Sequence, residues 1–260
     1  MTPRMIEKPD SPLVADLFPS PNIEPRARGL TPSILILHYT GLPAAAKAIE
    51  VLSRPDCKVS CHYVIDTDGR ITQMVAEDTR AWHAGVSSWR AETDINSASI
   101  GIEIQNPGHQ HGYPDFPVEQ MAAVKALCRD IASRHAIAPE RVLAHSDVAP
   151  ARKVDPGEKF DWPGLFAERI GLWVPPEPVD AGDHGVGPGA EGADVAAAQA
   201  LFAQYGYGVA ETGCFEISLG FVLRAFQLHF RPARIDGRLD RSTLATLERL
   251  VEALPPPAAS

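Results

Sequence analysis

The chain has 260 residues, 45% hydrophobic and 22% charged, the composition of a globular protein with room for one large domain or two unequal ones. Thirty-three acidic against 24 basic side chains give a formal charge of −9, which speaks against a nucleic-acid partner, since neutralising phosphates takes a basic surface. No apolar run exceeds four residues, far short of the roughly twenty that span a bilayer, and the Pro-broken, acid-bearing start lacks a secretion signal. Taken as it stands the sequence reads as cytoplasmic; a periplasmic or cell-envelope location follows if a leader has been removed.

In chain order, residues 34–38 (ILILH), 62–66 (HYVID), 71–75 (ITQMV), 99–104 (SIGIEI) and 141–145 (RVLAH) read as strands. Asp68-Gly69 signals a hairpin between the second and third. Residues 43–53 read as a helix with Pro in its first turn. The clearest helix is 118–135, where Met121, Val124, Leu127, Cys128 and Ile131 recur at steps of three and four. Strands mixed with helices predict an α/β domain with a mixed central sheet flanked by helices.

Composition shifts after Trp173. Residues 174–192 are rich in Pro and Gly and carry four acids, the pattern of a linker. They divide a first domain, 1–173, from a small helical domain, 193–260. Three amphipathic stripes build the latter: one from Val195 to Tyr205, one from Val222 to Phe230, and one through Leu244, Leu247 and Leu250 opened by Asp240, Ser242 or Thr243. No catalytic constellation stands out there, and its His229 reads as a helix-face residue. The four cysteines, Cys57, Cys61, Cys128 and Cys214, are too few for a disulfide scaffold and read as small apolar residues.

The chemistry lies in the first domain. His38 closes one apolar run and His145 another, placing imidazoles at strand ends where α/β sites collect. Asp155 follows ten residues after His145, stiffened by Pro156. Two imidazoles and a carboxylate leave a tetrahedral zinc one open position, as catalysis requires. Spacing alone is weak evidence, and by itself it favours core or surface histidines and a solvated Asp. In an extended segment Lys153 and Asp155 share a side, so the cation could serve a developing oxyanion or be an ordinary loop lysine. Along 99–105, Ile100, Ile102 and Ile104 take one face, and Gly101, Glu103 and Gln105 the other. Glu103 could then handle protons beside a Gly that leaves room for a ligand, unless that face is simply solvated. Trp82 and His83, in Ala81-Trp82-His83-Ala84-Gly85, could wall a sugar or peptide site or pack in a loop. His109 and His111 read as an exposed turn and are not assigned to metal.

Six short motifs then occur in one order: Leu37-His38-Tyr39-Thr40-Gly41, Ser60-Cys61-His62-Tyr63, Ala81-Trp82-His83-Ala84-Gly85, Ser99-Ile100-Gly101-Ile102-Glu103, Ala144-His145-Ser146-Asp147-Val148-Ala149-Pro150, and Lys153-Val154-Asp155-Pro156-Gly157. Together they resemble the type-2 N-acetylmuramoyl-L-alanine amidases, zinc enzymes sharing a fold with peptidoglycan recognition proteins. The tail, through Arg224-Ala225-Phe226-Gln227, Asp236-Gly237-Arg238-Leu239-Asp240 and Thr243, resembles a peptidoglycan-binding helical domain. The resemblance implies one Zn2+ on His38, His145 and Asp155, with Glu103 as catalytic acid/base and Lys153 stabilising the transition state. It places His83, with Trp82, near the substrate cleft and gives His62 a structural part. The implied substrate is peptidoglycan or a muropeptide, cut at the amide between N-acetylmuramic acid, or its 1,6-anhydro form, and L-alanine. The alternatives are a non-catalytic module that recognises wall fragments and, more remotely, a glycosidase, whose chemistry needs two carboxylates rather than a metal.

Overall fold

Eight strands and eight α-helices order the chain in a computed structural model, which describes residues 5–256. The outermost residues of the two expected domains, 1–4 and 257–260, lie outside the described residues. The strands are β1 (Asp16–Leu17), β2 (Ile23–Pro25), β3 (Ile34–Tyr39), β4 (Tyr63–Ile65), β5 (Ile71–Gln73), β6 (Thr79–Ala81), β7 (Ser99–Ile104) and β8 (Val142–Ala144). The helices are α1 (Ala45–Leu52), α2 (Ile95–Ala98), α3 (Val118–His135), α4 (His145–Val148), α5 (Trp162–Ala167), α6 (Ala193–Tyr205), α7 (Ile217–Phe230) and α8 (Arg241–Glu252).

Six strands form a mixed sheet in the order β1-β5-β4-β7-β3-β8, and β2 and β6 form a separate antiparallel pair. Strand β3 sits between β7 and β8 and runs parallel to both, while β4 and β5 form the expected antiparallel hairpin. Asp66 and Gly69 close its turn, with Gly69 at φ +84°. The five expected strands and the 118–135 helix are all present. Strands β1, β2 and β6 went unread because two or three residues show no side-chain alternation and are defined by their backbone partners.

Alternation along β3 and β7 gives the sheet two apolar faces with different covers. Leu35, Leu37, Ile100, Ile102 and Ile104 pack under α3, against its Met121, Val124, Leu127 and Ile131 stripe. Ile34 and Ile36 point the other way and join Leu143, Trp89, Phe202 and Phe226 in a second core. That second core is continuous from the sheet into α6, α7 and α8. The Pro/Gly-rich stretch therefore connects two parts that are packed together. Trp89 seals the junction, lying so close to Gly206 that a Cβ there would stand 2.6 Å from the indole. In α8, Asp240 caps the helix by accepting from the Thr243 N–H at 2.6 Å. No helix among the described residues is long and apolar enough to cross a membrane.

Candidate active site

His38 and Glu103 occupy paired positions on the parallel neighbours β3 and β7, so their side chains leave the sheet on one face at its carboxyl end. His145 opens α4 directly after β8, beside them. Asp155 is tied to the same turn by the Ser146 N–H, which donates to its backbone carbonyl at 3.1 Å. Residues 107 and 117 positions apart in sequence thereby converge. His38 Nδ1 lies 2.8 Å from His145 Nδ1 and 3.2 Å from Asp155 Oδ2, and His145 Nδ1 lies 3.0 Å from that same oxygen. All three residues are buried, and theirs is the group able to hold a metal among the described residues.

The outer ring nitrogens decide what the inner ones present. His145 Nε2 lies 3.2 Å from the Ala84 carbonyl, an acceptor only, so it carries the proton and donates. His38 Nε2 lies 3.0 Å from His83 Nδ1, and His83 Nε2 lies 3.2 Å from Ser99 Oγ, whose hydroxyl donates to the Ile95 carbonyl at 2.6 Å. Read back from that carbonyl, each link donates outward, and both inward-facing Nδ1 atoms keep their lone pairs. Burial, with the neighbouring His145, lowers the His38 pKa to about 4, so the ring is neutral near pH 7. Two inward lone pairs and a carboxylate are mutually repulsive unless a cation sits between them. Ligand atoms of a tetrahedral zinc at about 2.0–2.1 Å stand roughly 3.3 Å apart, close to the triangle found here. The donor set fits zinc.

A cleft of about 390 Å³ opens over this centre, lined by His145, Asp155, Glu103, Lys153, His83 and Trp82 among others. Glu103 is half-buried, and its buried Oε2 has no hydrogen-bond partner. Burial first, then the charge of Asp155, push its carboxyl well above the ordinary range, with Lys153 pulling the other way. Trp82 is half-buried, its indole N–H donating to Glu24 at 3.1 Å while the ring borders the cleft. His83 also borders the cleft, but both ring nitrogens are committed to His38 and Ser99.

One expectation needs correction. The space beside Gly101 holds the His83 ring rather than a ligand: a Cβ on residue 101 would stand 2.5 Å from it. His229, read as a helix-face residue, lies on α7 and is buried, 2.7 Å from Asp147. His62 is structural: its Nδ1 accepts the Gly101 N–H at 3.0 Å and its Nε2 donates to the Thr79 carbonyl at 3.1 Å. His109 stacks on Tyr113 and pairs with Glu158, away from the metal-binding group. Sequence reasoning missed Ser99 and Asn96. Asn96 Oδ1 accepts the N–H groups of His83 and Ala84 at 3.0 and 2.8 Å and so shapes the cleft wall. An Asn or Ser carries no periodic signal by which either could have been found.

Comparison with known proteins places the chain in a family. The family model for N-acetylmuramoyl-L-alanine amidase matches residues 28–158, and that for a putative peptidoglycan binding domain matches residues 191–247. N-acetylmuramoyl-L-alanine amidase AmiD of Escherichia coli is 37% identical over 231 residues, covering 84% of this chain and 82% of AmiD. The 1,6-anhydro-N-acetylmuramyl-L-alanine amidase AmpD of Salmonella typhimurium is 38% identical over 166 residues, covering 57% of this chain and 87% of AmpD. Among solved structures, E. coli AmiD in complex with anhydro-N-acetylmuramic acid-L-Ala-D-gamma-Glu-L-Lys has a TM-score of 0.72 at 36% identity, covering 87% of this chain and 91% of that one. AmpDh3 from Pseudomonas aeruginosa in complex with anhydromuramic pentapeptide gives 0.72 at 32% identity, covering 88% and 95%. With its buried His-His-Asp group under an open cleft, this chain belongs to the N-acetylmuramoyl-L-alanine amidases.

Proposed function

We propose that this amidase hydrolyses the amide joining the muramyl lactyl group to L-alanine in muropeptides, the 1,6-anhydro form included, with one Zn2+ held by His38, His145 and Asp155. The observation that carries the reading is the convergence of those three ligand atoms within 2.8–3.2 Å, with both imidazole lone pairs turned inward. Zinc bound there supplies a Lewis acid that polarises a carbonyl and acidifies water.

The remaining chemistry falls to the chain. Glu103 accepts the proton of the attacking water and later delivers it to the departing alanine nitrogen. A pKa raised above the ordinary carboxylate range makes Glu103 a stronger base toward that water, and the departing amine nitrogen is more basic still, so the proton moves on to it. Lys153 sets its positive charge beside the carbonyl oxygen as negative charge develops there. His83 holds His38 through its Nδ1 and Ser99 through its Nε2, and its role in the cleft is that of a wall rather than a hydrogen-bonding partner of substrate. Trp82 offers an indole face on which the sugar or peptide can lie. The helical part, residues 193–260, takes the role of a peptidoglycan-binding domain, with 174–192 as its connection.

The test is release of free stem peptide from an anhydro-N-acetylmuramyl peptide, followed by mass spectrometry, with metal content measured on the same preparation. One equivalent of zinc, and peptide release that stops with a chelator and returns with zinc, is the expected result. Release that a chelator leaves untouched, or a protein that binds the muropeptide without cutting it, overturns the proposal.

A further inference from the structure

Asp147 lies two residues beyond the metal ligand His145, in the single turn α4, and does not border the cleft. It is buried to 1% exposure and is saturated with donors. Its Oδ2 accepts the Ala144 N–H at 2.8 Å, which closes the turn at the point where the chain leaves β8. The other two donors come from the far end of the sequence. His229 Nδ1 on α7 donates to Oδ2 at 2.7 Å, and the Tyr207 hydroxyl donates to Oδ1 at 2.6 Å. Both are buried, and the His229 ring is clamped between Trp162 and Phe230 at centroid distances of 3.7 and 3.8 Å. An ionised carboxylate has lone pairs enough for three such donors, and a buried one demands them.

We propose that His229 and Tyr207 of the C-terminal helices are positioning residues for the amidase site, acting through Asp147 to fix the turn that carries His145. The turn is otherwise anchored at its far end, where Val148 is buried in the core and its carbonyl accepts the Ser88 N–H at 2.9 Å. It is four residues long, shorter than a stable helix, and its lone Ser146 hydroxyl is without a partner. The same turn aims the His145 ring at the metal centre and, through the Ser146 N–H, holds the backbone of Asp155. Two of the three ligands therefore depend on one short segment whose carboxylate is gripped from the helical part. The C-terminal part is then a component of the metal site as well as a candidate for glycan binding. This inference rests on the zinc assignment above.

Zinc affinity is the readout, measured on the full chain by competition with a chromophoric chelator, together with the visible spectrum of the cobalt-substituted protein and the melting temperature. His229→Phe keeps the stack on Trp162 and Phe230 but removes the donor. His229→Asn restores an N–H near the position of Nδ1, and Tyr207→Phe removes a single hydroxyl. The expected result is a loss of zinc affinity of about 10–100-fold in H229F, the usual range for losing support behind a metal ligand, with a shifted cobalt spectrum. H229N should recover most of that loss, and Y207F should fall between. A merely structural role would lower the melting temperature of the variants and leave the affinity of the folded protein and its cobalt spectrum unchanged. Zinc affinity within twofold of wild type in both H229F and Y207F overturns the coupling; if H229F does not fold, Y207F decides by the same criterion. His145→Ala serves as the control. If it binds zinc as wild type does, the ligand assignment itself has failed, and this proposal with it.

Discussion

The His83 ring lies against Gly101 so closely that the two positions cannot both carry side chains: a Cβ on residue 101 would stand 2.5 Å from the imidazole. Since His83 in turn lies 3.0 Å from His38 Nε2, this glycine bears on the proposed metal ligand His38 through one intervening ring. Gly101→Ala is expected to displace the ring, weaken zinc binding by about 10–100-fold and lower activity in step. Chelator competition beside turnover measurements checks it; unchanged affinity would show that His38 needs no support from His83.

Glu103→Gln keeps the size of a side chain whose Oε2 is buried without a partner, and removes only its ability to carry a proton. Loss of a general acid/base typically costs about 10²–10⁴ in rate, so kcat should fall by that much while zinc content stays at wild type. Full rates at full zinc loading would exclude Glu103 as the base.

Lys153→Ala removes a cation that lines the cleft beside Asp155. If it steadies the developing oxyanion, the loss belongs to the transition state, and kcat should drop by about 10²–10³ with KM little changed. A rise in KM at constant kcat would instead mark Lys153 as a substrate-binding group.

Acid stability turns on a site away from the cleft. Glu77 is 4% exposed and receives the Tyr63 hydroxyl at 2.6 Å, His135 Nε2 at 2.7 Å, and Arg134. Burial alone would raise its pKa, but the hydrogen bonds from Arg134, His135 and Tyr63 outweigh it and bring the carboxyl down to about 2. The folded pKa lies below the unfolded value of about 4.3, so the stabilisation is complete above that pH and fades as pH falls toward 2. The difference corresponds to about 3 kcal/mol. Thermal melts of Glu77→Gln should show a lower Tm at pH 7 and a flatter decline between about pH 5 and 2. An identical pH profile in variant and wild type would show that Glu77 contributes nothing.

Much of this was legible in the chain. Strict alternation from Ser99 to Ile104 put Glu103 on the correct face, and three- and four-residue steps placed α3. His38 and His145 were marked by their positions at the ends of apolar runs. Their union with Asp155 came from six motifs in one order, because spacing says nothing about which distant segments meet. The hydrogen-bonding partners behind the ligands were out of reach for the same reason. Asp147 sits 60 residues from Tyr207 and 82 from His229, and in sequence an aspartate in a short polar turn is indistinguishable from a solvated one. Gly101 was misread because a missing side chain shows that space is needed without showing what fills it.

Ile34 and Ile36 lie on the same strand face as His38 and are roofed by helices that arrive some 160 residues later in the chain. A fragment ending near Trp173 would present that strip, with Leu143 and Trp89, to water as a sticky surface. Transplanting the tail onto another hydrolase, or trimming it to obtain a minimal biocatalyst, would thus require redesigning the underside of the sheet. Engineering here has to treat the two halves as one piece.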